Sequence, residues 1–107
     1  MTYRVELAAR AVRDLKRIFG QINAENSPQA SAWFNDLEAA ILSLDNHPQR
    51  SATTPENKAL RHSLFGNKPD IYRIIYAIDE RARIVRVLHI RHGARRAFST
   101  PPTARSS

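Results

Sequence analysis

"DIYRIIYAIDERARIVRVLHIRHGARR", residues 70–96, holds two apolar runs that alternate with period two around the charged turn "ERAR". Runs rich in Ile, Val and Tyr with that period read as β-strands, and a short polar break between them makes an antiparallel hairpin of residues 71–79 and 84–92. A third strand candidate, residues 59–65, precedes it. The linking "FGNKPD" contains Gly66, Asn67 and Pro69, residue types that turns require.

Working outward, Tyr3, Val5 and Leu7 alternate with Arg4 and Glu6, the pattern of a strand with one buried face. From Ala8 the period changes. Ala8, Val12, Leu15, Phe19 and Ile22 recur at steps of four and three, which predicts a helix burying that stripe and ending near Glu25 or Asn26. "NSPQ" restarts the helical pattern, because Ser27 can accept a bond from an orphan backbone N–H and Pro28 suits the first helical position. The second stripe is Ala30, Phe34, Leu37, Ile41 and Leu44, and Pro48 stops it. Both helices read as roughly five turns long. Residues 49–58, polar with one proline, read as a loop with freedom to move.

The predicted order is therefore strand, two-helix hairpin and a three-stranded antiparallel meander packed on the helices, an α+β fold. Residues 1–98 form one domain in this reading. Residues 99–107, "STPPTARSS" after Phe98, lack apolar anchors and are expected to be disordered.

Composition narrows the function. At 107 residues the chain can bury a core of its own, and without cysteine it can form neither a disulfide nor a thiolate metal site. No apolar run nears the roughly 20 residues that span a bilayer, and the N-terminus lacks a signal-peptide core. A cytoplasmic protein with no membrane partner is expected. Residues 1–60 carry seven Lys or Arg against seven Asp or Glu, whereas residues 61–107 carry ten against three, so the whole net charge of +7 lies in the C-terminal part. Charge so localised suits a polyanion or an acidic protein partner. A merely solvated basic surface is the plainer explanation.

Alternation puts Ile71, Arg73, Ile75 and Ala77 on one face of the middle strand and Tyr72, Ile74, Tyr76 and Ile78 on the other. The last strand divides less cleanly, since Val85, Val87, His89 and Arg91 oppose Ile84, Arg86, Leu88, Ile90 and His92. Neither set is wholly apolar, and a bulge would reset the parity. Beyond it, Gly93 permits a sharp turn that hands Arg95 and Arg96 to the sheet end. Arg73 and Arg95 are then expected near one another over the open surface, with Arg61 as a third. The anion-binding set read this way is Arg61, Arg73, Arg91, Arg95 and Arg96, since guanidinium forks bind phosphate oxygens bidentately. Alternatively, Arg73 pairs with a carboxylate such as Glu6 and only stabilises the sheet.

His62 and His92 suit general acid or base roles. His89 and His92, three apart on a strand, fall on opposite faces and do not make a metal pair. Only three glycines are present, with no phosphate-cradling loop or nucleophile elbow. No metal and no cofactor is implied. Trp33 and Phe34 are adjacent, and core or partner packing explains both.

The order of elements, with "DIYRIIYAID" and "RIVRVLHIRHGARR", resembles the RelE/ParE superfamily of bacterial type II toxin-antitoxin toxins over residues 3 to about 98. The resemblance implies an antiparallel sheet against a helical hairpin and a cognate antitoxin whose C-terminal segment wraps the toxin. One branch of the family implies a RelE-like, metal-independent mRNA endoribonuclease (mRNA interferase) acting in the ribosomal A site. There Arg73 in "YR" and Arg95 after "HG" resemble the two core arginines, Arg61 resembles a further cation, and His92 is the available proton-transfer residue. Ser63 stands where a second strand cation is expected, and no Tyr follows Tyr76 and no His follows His92. The other branch implies a ParE-like DNA gyrase inhibitor of the plasmid stabilisation type, without catalysis. Long helices and the "HGAR" ending lie closer to that branch. A non-toxic nucleic-acid-binding module is the third reading.

Overall fold

The hairpin forms where the alternation places it. In the computed structural model, which describes residues 2–67 and 70–93, the elements are β1 (Arg4–Leu7), α1 (Ala9–Gln21), α2 (Pro28–Leu42), single 3₁₀ turns at Ser43–Asp45 and Pro48–Arg50, β2 (Arg61–Phe65), β3 (Tyr72–Asp79) and β4 (Ile84–His92). The predicted tail over residues 99–107 lies outside the described residues. So do Arg95 and Arg96.

β2, β3 and β4 form the antiparallel meander, and β1 pairs with β4 in parallel, giving the strand order β1-β4-β3-β2. β1 covers only residues 84–87 of β4, from Arg4 opposite Ile84 to Leu7 opposite Val87. α1 then runs beside the remainder. Its Asp14 carboxylate accepts the Ile90 backbone N–H at 2.9 Å, a bond that a neighbouring strand would otherwise supply.

Between β3 and β4 the register shifts. Ile75 faces His89 but Tyr76 faces Val87, so Leu88 is the extra residue of a β-bulge. The bulge resolves the ambiguous last strand: Val85, Val87 and Ile90 all reach the core, although strict alternation puts Ile90 opposite the other two. They pack with Ile74 and Tyr76 of β3 and with Leu37 and Ile41 of α2. Each such fully buried side chain stabilises the fold by roughly 1.5–3 kcal/mol.

α2 begins as its sequence dictates, with the Ser27 hydroxyl accepting the Ala30 N–H at 3.2 Å and Pro28 in the first turn. α1 ends earlier than its periodicity suggests. Asn23 takes a left-handed conformation, φ 57°, and the N–H groups of Asn23 and Ala24 bond back to Gly20 and Phe19, a Schellman ending that closes the helix at Gln21. Its buried side also differs from expectation. Ala11, Asp14 and Ile18 face β4, while Val12 and Phe19 remain 39% and 36% exposed. The 8-12-15-19-22 stripe lies one position round the helix from the sheet-facing side, because α1 sits beside β4 and must satisfy the Ile90 N–H with Asp14. That rotation turns Val12, Leu15 and Phe19 toward α2, where with Lys16, Phe34 and Glu38 they line an open groove.

The segment after Pro48 is pinned, not loose. The Tyr76 phenol donates to the Pro48 carbonyl at 2.6 Å, Arg61 donates to the carbonyls of Gln49 and Ser51, and Thr53 forms a bridge to Arg61. Among the described residues no helix is long and apolar enough to cross a membrane.

Candidate functional site

The open sheet face carries His62 of β2, Arg73 and Ile75 of β3, and His89 and Arg91 of β4, since directly paired residues project to the same side. Arg73 stands opposite Arg91. Two like charges in that position repel, and a carboxylate resolves the conflict: Glu56 accepts from Arg73 Nη1 at 3.2 Å and from Nη2 at 3.1 Å, a bidentate pair. Glu6 is the partner that the strand pattern suggests for this role. Glu6 instead pairs with Arg4 and Arg86.

Glu56 is aimed by its own turn. The Thr54 hydroxyl accepts the Asn57 N–H at 3.0 Å and donates to the Asn57 carbonyl at 2.7 Å, which folds residues 54–57 over the Arg73 fork. Arg73 lies 1% exposed, although it was expected over the open surface, whereas the Glu56 side chain remains 58% exposed. Hydrogen bonds from Arg73 hold the Glu56 carboxyl below its ordinary 4.5, and the field of Arg91 acts in the same sense.

Arg73 Nε donates to His62 Nδ1 at 3.2 Å. A guanidinium can only donate, so His62 accepts and its ring is neutral in this arrangement. Burial and then the adjacent Arg73 charge push the His62 pKa below 6.5, consistent with that tautomer. On the same face His89 Nδ1 lies 2.6 Å from an Asp14 carboxylate oxygen and its Nε2 lies 3.3 Å from Arg10 Nη2. This Arg10–His89–Asp14 chain was not foreseen, because its partners lie some 75 residues apart and no spacing signals them. Burial raises the Asp14 pKa, but bonds from Ile90, His89 and Arg17 outweigh that and leave it below 3.8.

Of the residues singled out by sequence, the structure brings together Arg73, Arg91 and His62. It does not bring Arg61 or His92 to them. Arg61 is paired with Tyr76 and is bonded to loop carbonyls. His92 lies across the sheet from Arg73, its ring edge-on to Tyr72 at 5.0 Å and its Nε2 3.2 Å from Asp70.

A sheet of this order carrying a helical hairpin on one face is the fold of the small RelE/ParE-like toxins. The family described as ParE toxin of type II toxin-antitoxin system, parDE, matches residues 5–97, and the chain belongs to it. Among solved structures, the chromosomal ParDE system of P. aeruginosa is similar with a TM-score of 0.65 and 15% identity, over 85% of this chain and 96% of that one. A mutant of E. coli RelE in the free state gives 0.62 and 12%, over 87% and 85%. The RelBE2 toxin-antitoxin complex of Mycobacterium tuberculosis gives 0.59 and 23%, over 86% and 99%. No curated protein sequence matches the chain.

Proposed function

We propose that the free protein arrests growth in the cytoplasm, that a cognate antitoxin neutralises it, and that its target is DNA gyrase, inhibited in ParE-like fashion without chemistry of its own. The observation that carries the target is the separation of His92, the proton-transfer residue the resemblance offers, from Arg73. His92 lies on the opposite side of the sheet from Arg73, and the Arg73 fork is engaged by Glu56. An inhibitor that only binds needs no proton-transfer group beside its arginines. Arg91, with Arg95 and Arg96 beyond Gly93, supplies the cationic contact in this reading, and residues 1–98 act as one toxin domain.

The groove between α1 and α2 supports the antitoxin part. Val12 and Phe19 leave apolar surface exposed there, with Lys16 and Glu38 at its rim. An antitoxin tail anchored in that groove, with carboxylates directed at Arg91, combines apolar burial for slow release with charge for fast capture.

One observation favours the RelE-like ribonuclease instead: His62 is neutral and touches Arg73. Induction in cells, scored side by side for the DNA-damage response and for cuts in translated mRNA, separates the two. Damage response without codon-linked cuts supports gyrase; cuts that His62→Gln abolishes support the ribonuclease. Absence of growth arrest favours a non-toxic binding module.

A further inference from the structure

Arg73 and Arg91 face each other on adjacent strands, and the group now held in the Arg73 fork is a planar oxyanion from the same chain. Three features show a built arrangement. The Thr54–Asn57 turn fixes where Glu56 points, His62 orients the guanidinium through Nε, and Gly93 leaves space for the Arg73 stem, because a Cβ there would lie 2.6 Å from its Cγ and Cδ. A structural ion pair alone does not need the carboxylate to remain more than half exposed while the arginine beneath it is buried. That asymmetry leaves Glu56 the removable member.

We propose that Arg73 and Arg91 form a binding site for a phosphate-class dianion and that Glu56 is its internal competitor, occupying the Arg73 fork until such a ligand displaces it. This rests on the reading of the open face as the anion-contacting face. Two arginines paired across adjacent strands suit a doubly charged phosphate better than they suit one carboxylate, since Glu56 engages Arg73 bidentately and feels Arg91 through its field. The free protein thereby keeps this anion site masked.

The test is titration of the full chain with inorganic phosphate at constant neutral pH and ionic strength, followed by calorimetry and by thermal melting. Glu56→Gln is expected to bind phosphate about tenfold more tightly than the parent, through loss of a charged competitor. Its melting temperature should fall in chloride and recover in phosphate. Glu56→Asp, which keeps the charge but shortens the reach, should fall between the two, and it carries the test if the Gln variant does not fold. Adding Arg73→Gln to Glu56→Asp should remove the gain. Equal phosphate affinity in parent and Glu56 variants, or a gain that survives loss of Arg73, overturns the site. Growth arrest by the parent with no gain in the variants refutes the site alone; a gain with no arrest upholds the site and refutes the toxin reading.

Discussion

The Arg73 side chain crosses directly over Gly93, so closely that an added Cβ at position 93 would lie 2.6 Å from both Cγ and Cδ of the arginine. Gly93 also donates its N–H to the Ile71 carbonyl at 2.9 Å, which fixes the backbone there. Strand end and arginine stem therefore cannot both stay in place around a larger residue. Gly93→Ala is expected to cost about 1–3 kcal/mol as an overpacking change. It should also move the His62 ring signals in NMR as Arg73 Nε leaves Nδ1. Unchanged stability together with unchanged His62 signals would contradict this.

Asp14 stabilises the unpaired half of β4. Its carboxylate, 2% exposed, takes the Ile90 N–H, the His89 ring and the Arg17 guanidinium. Asp14→Ala leaves a buried N–H without its acceptor and should lose about 2–4 kcal/mol in urea denaturation. Asp14→Asn, still able to accept from Ile90, should lose distinctly less.

Acid should destabilise the protein in two stages. His62 titrates below 6.5 in the folded chain, so the unfolded chain binds the extra proton between those values and stability falls as pH drops through that window. Asp14 and Glu56 are depressed below 3.8 and 4.5, so their contribution is complete above those values and is lost as pH falls through the lower folded ones. Melting temperature against pH should show both stages. His62→Gln should flatten the upper one and leave the lower.

If the helical groove receives the antitoxin, Phe19→Asp should weaken the complex at least roughly tenfold, as removal of a central apolar anchor does. Phe19 meets Phe34 edge to face at 5.1 Å and is 36% exposed, so the melting temperature should fall by several degrees while the variant stays folded at the temperature of the binding assay. Arg91→Gln should slow association and reduce its salt dependence. Binding of the Phe19 variant equal to the parent's would move the antitoxin elsewhere.

The meander, the second helix and the Ser27 cap were legible because each rests on local rules: alternation, 3.6-residue spacing and a capping side chain. The buried side of α1 was not. Its apolar stripe is genuine but faces α2, and a buried Asp14 looks polar until the missing strand beside Ile90 is known. The bulge at Leu88 was half legible, since the mixed faces of the last strand admit a bulge but only the pairing with β3 places it. At the site, Arg73 stood out as a charge in an apolar run. Its partner did not, because Glu56 sits in a polar segment where any acidic residue looks solvated and only the Thr54–Asn57 turn aims it.

That same segment has a second consequence. β2 is an outer strand, and the backbone of residues 52–54 lies along it, with the His62 N–H on the Ala52 carbonyl at 3.1 Å and the Thr54 N–H on the Leu60 carbonyl at 2.8 Å. Lifting the segment bodily to expose Arg73 would bare those amides beside Leu64, 55% exposed, and offer a template for strand addition by another molecule. Swinging the Glu56 side chain about its own bonds takes its carboxylate out of the Arg73 fork and leaves those backbone bonds intact. The fold thus separates a fixed guard rail, written in backbone, from a movable bolt, written in one side chain. Backbone pairing at 52–54 guards against self-association, whereas the side chain at 56 answers to the charge of Arg73.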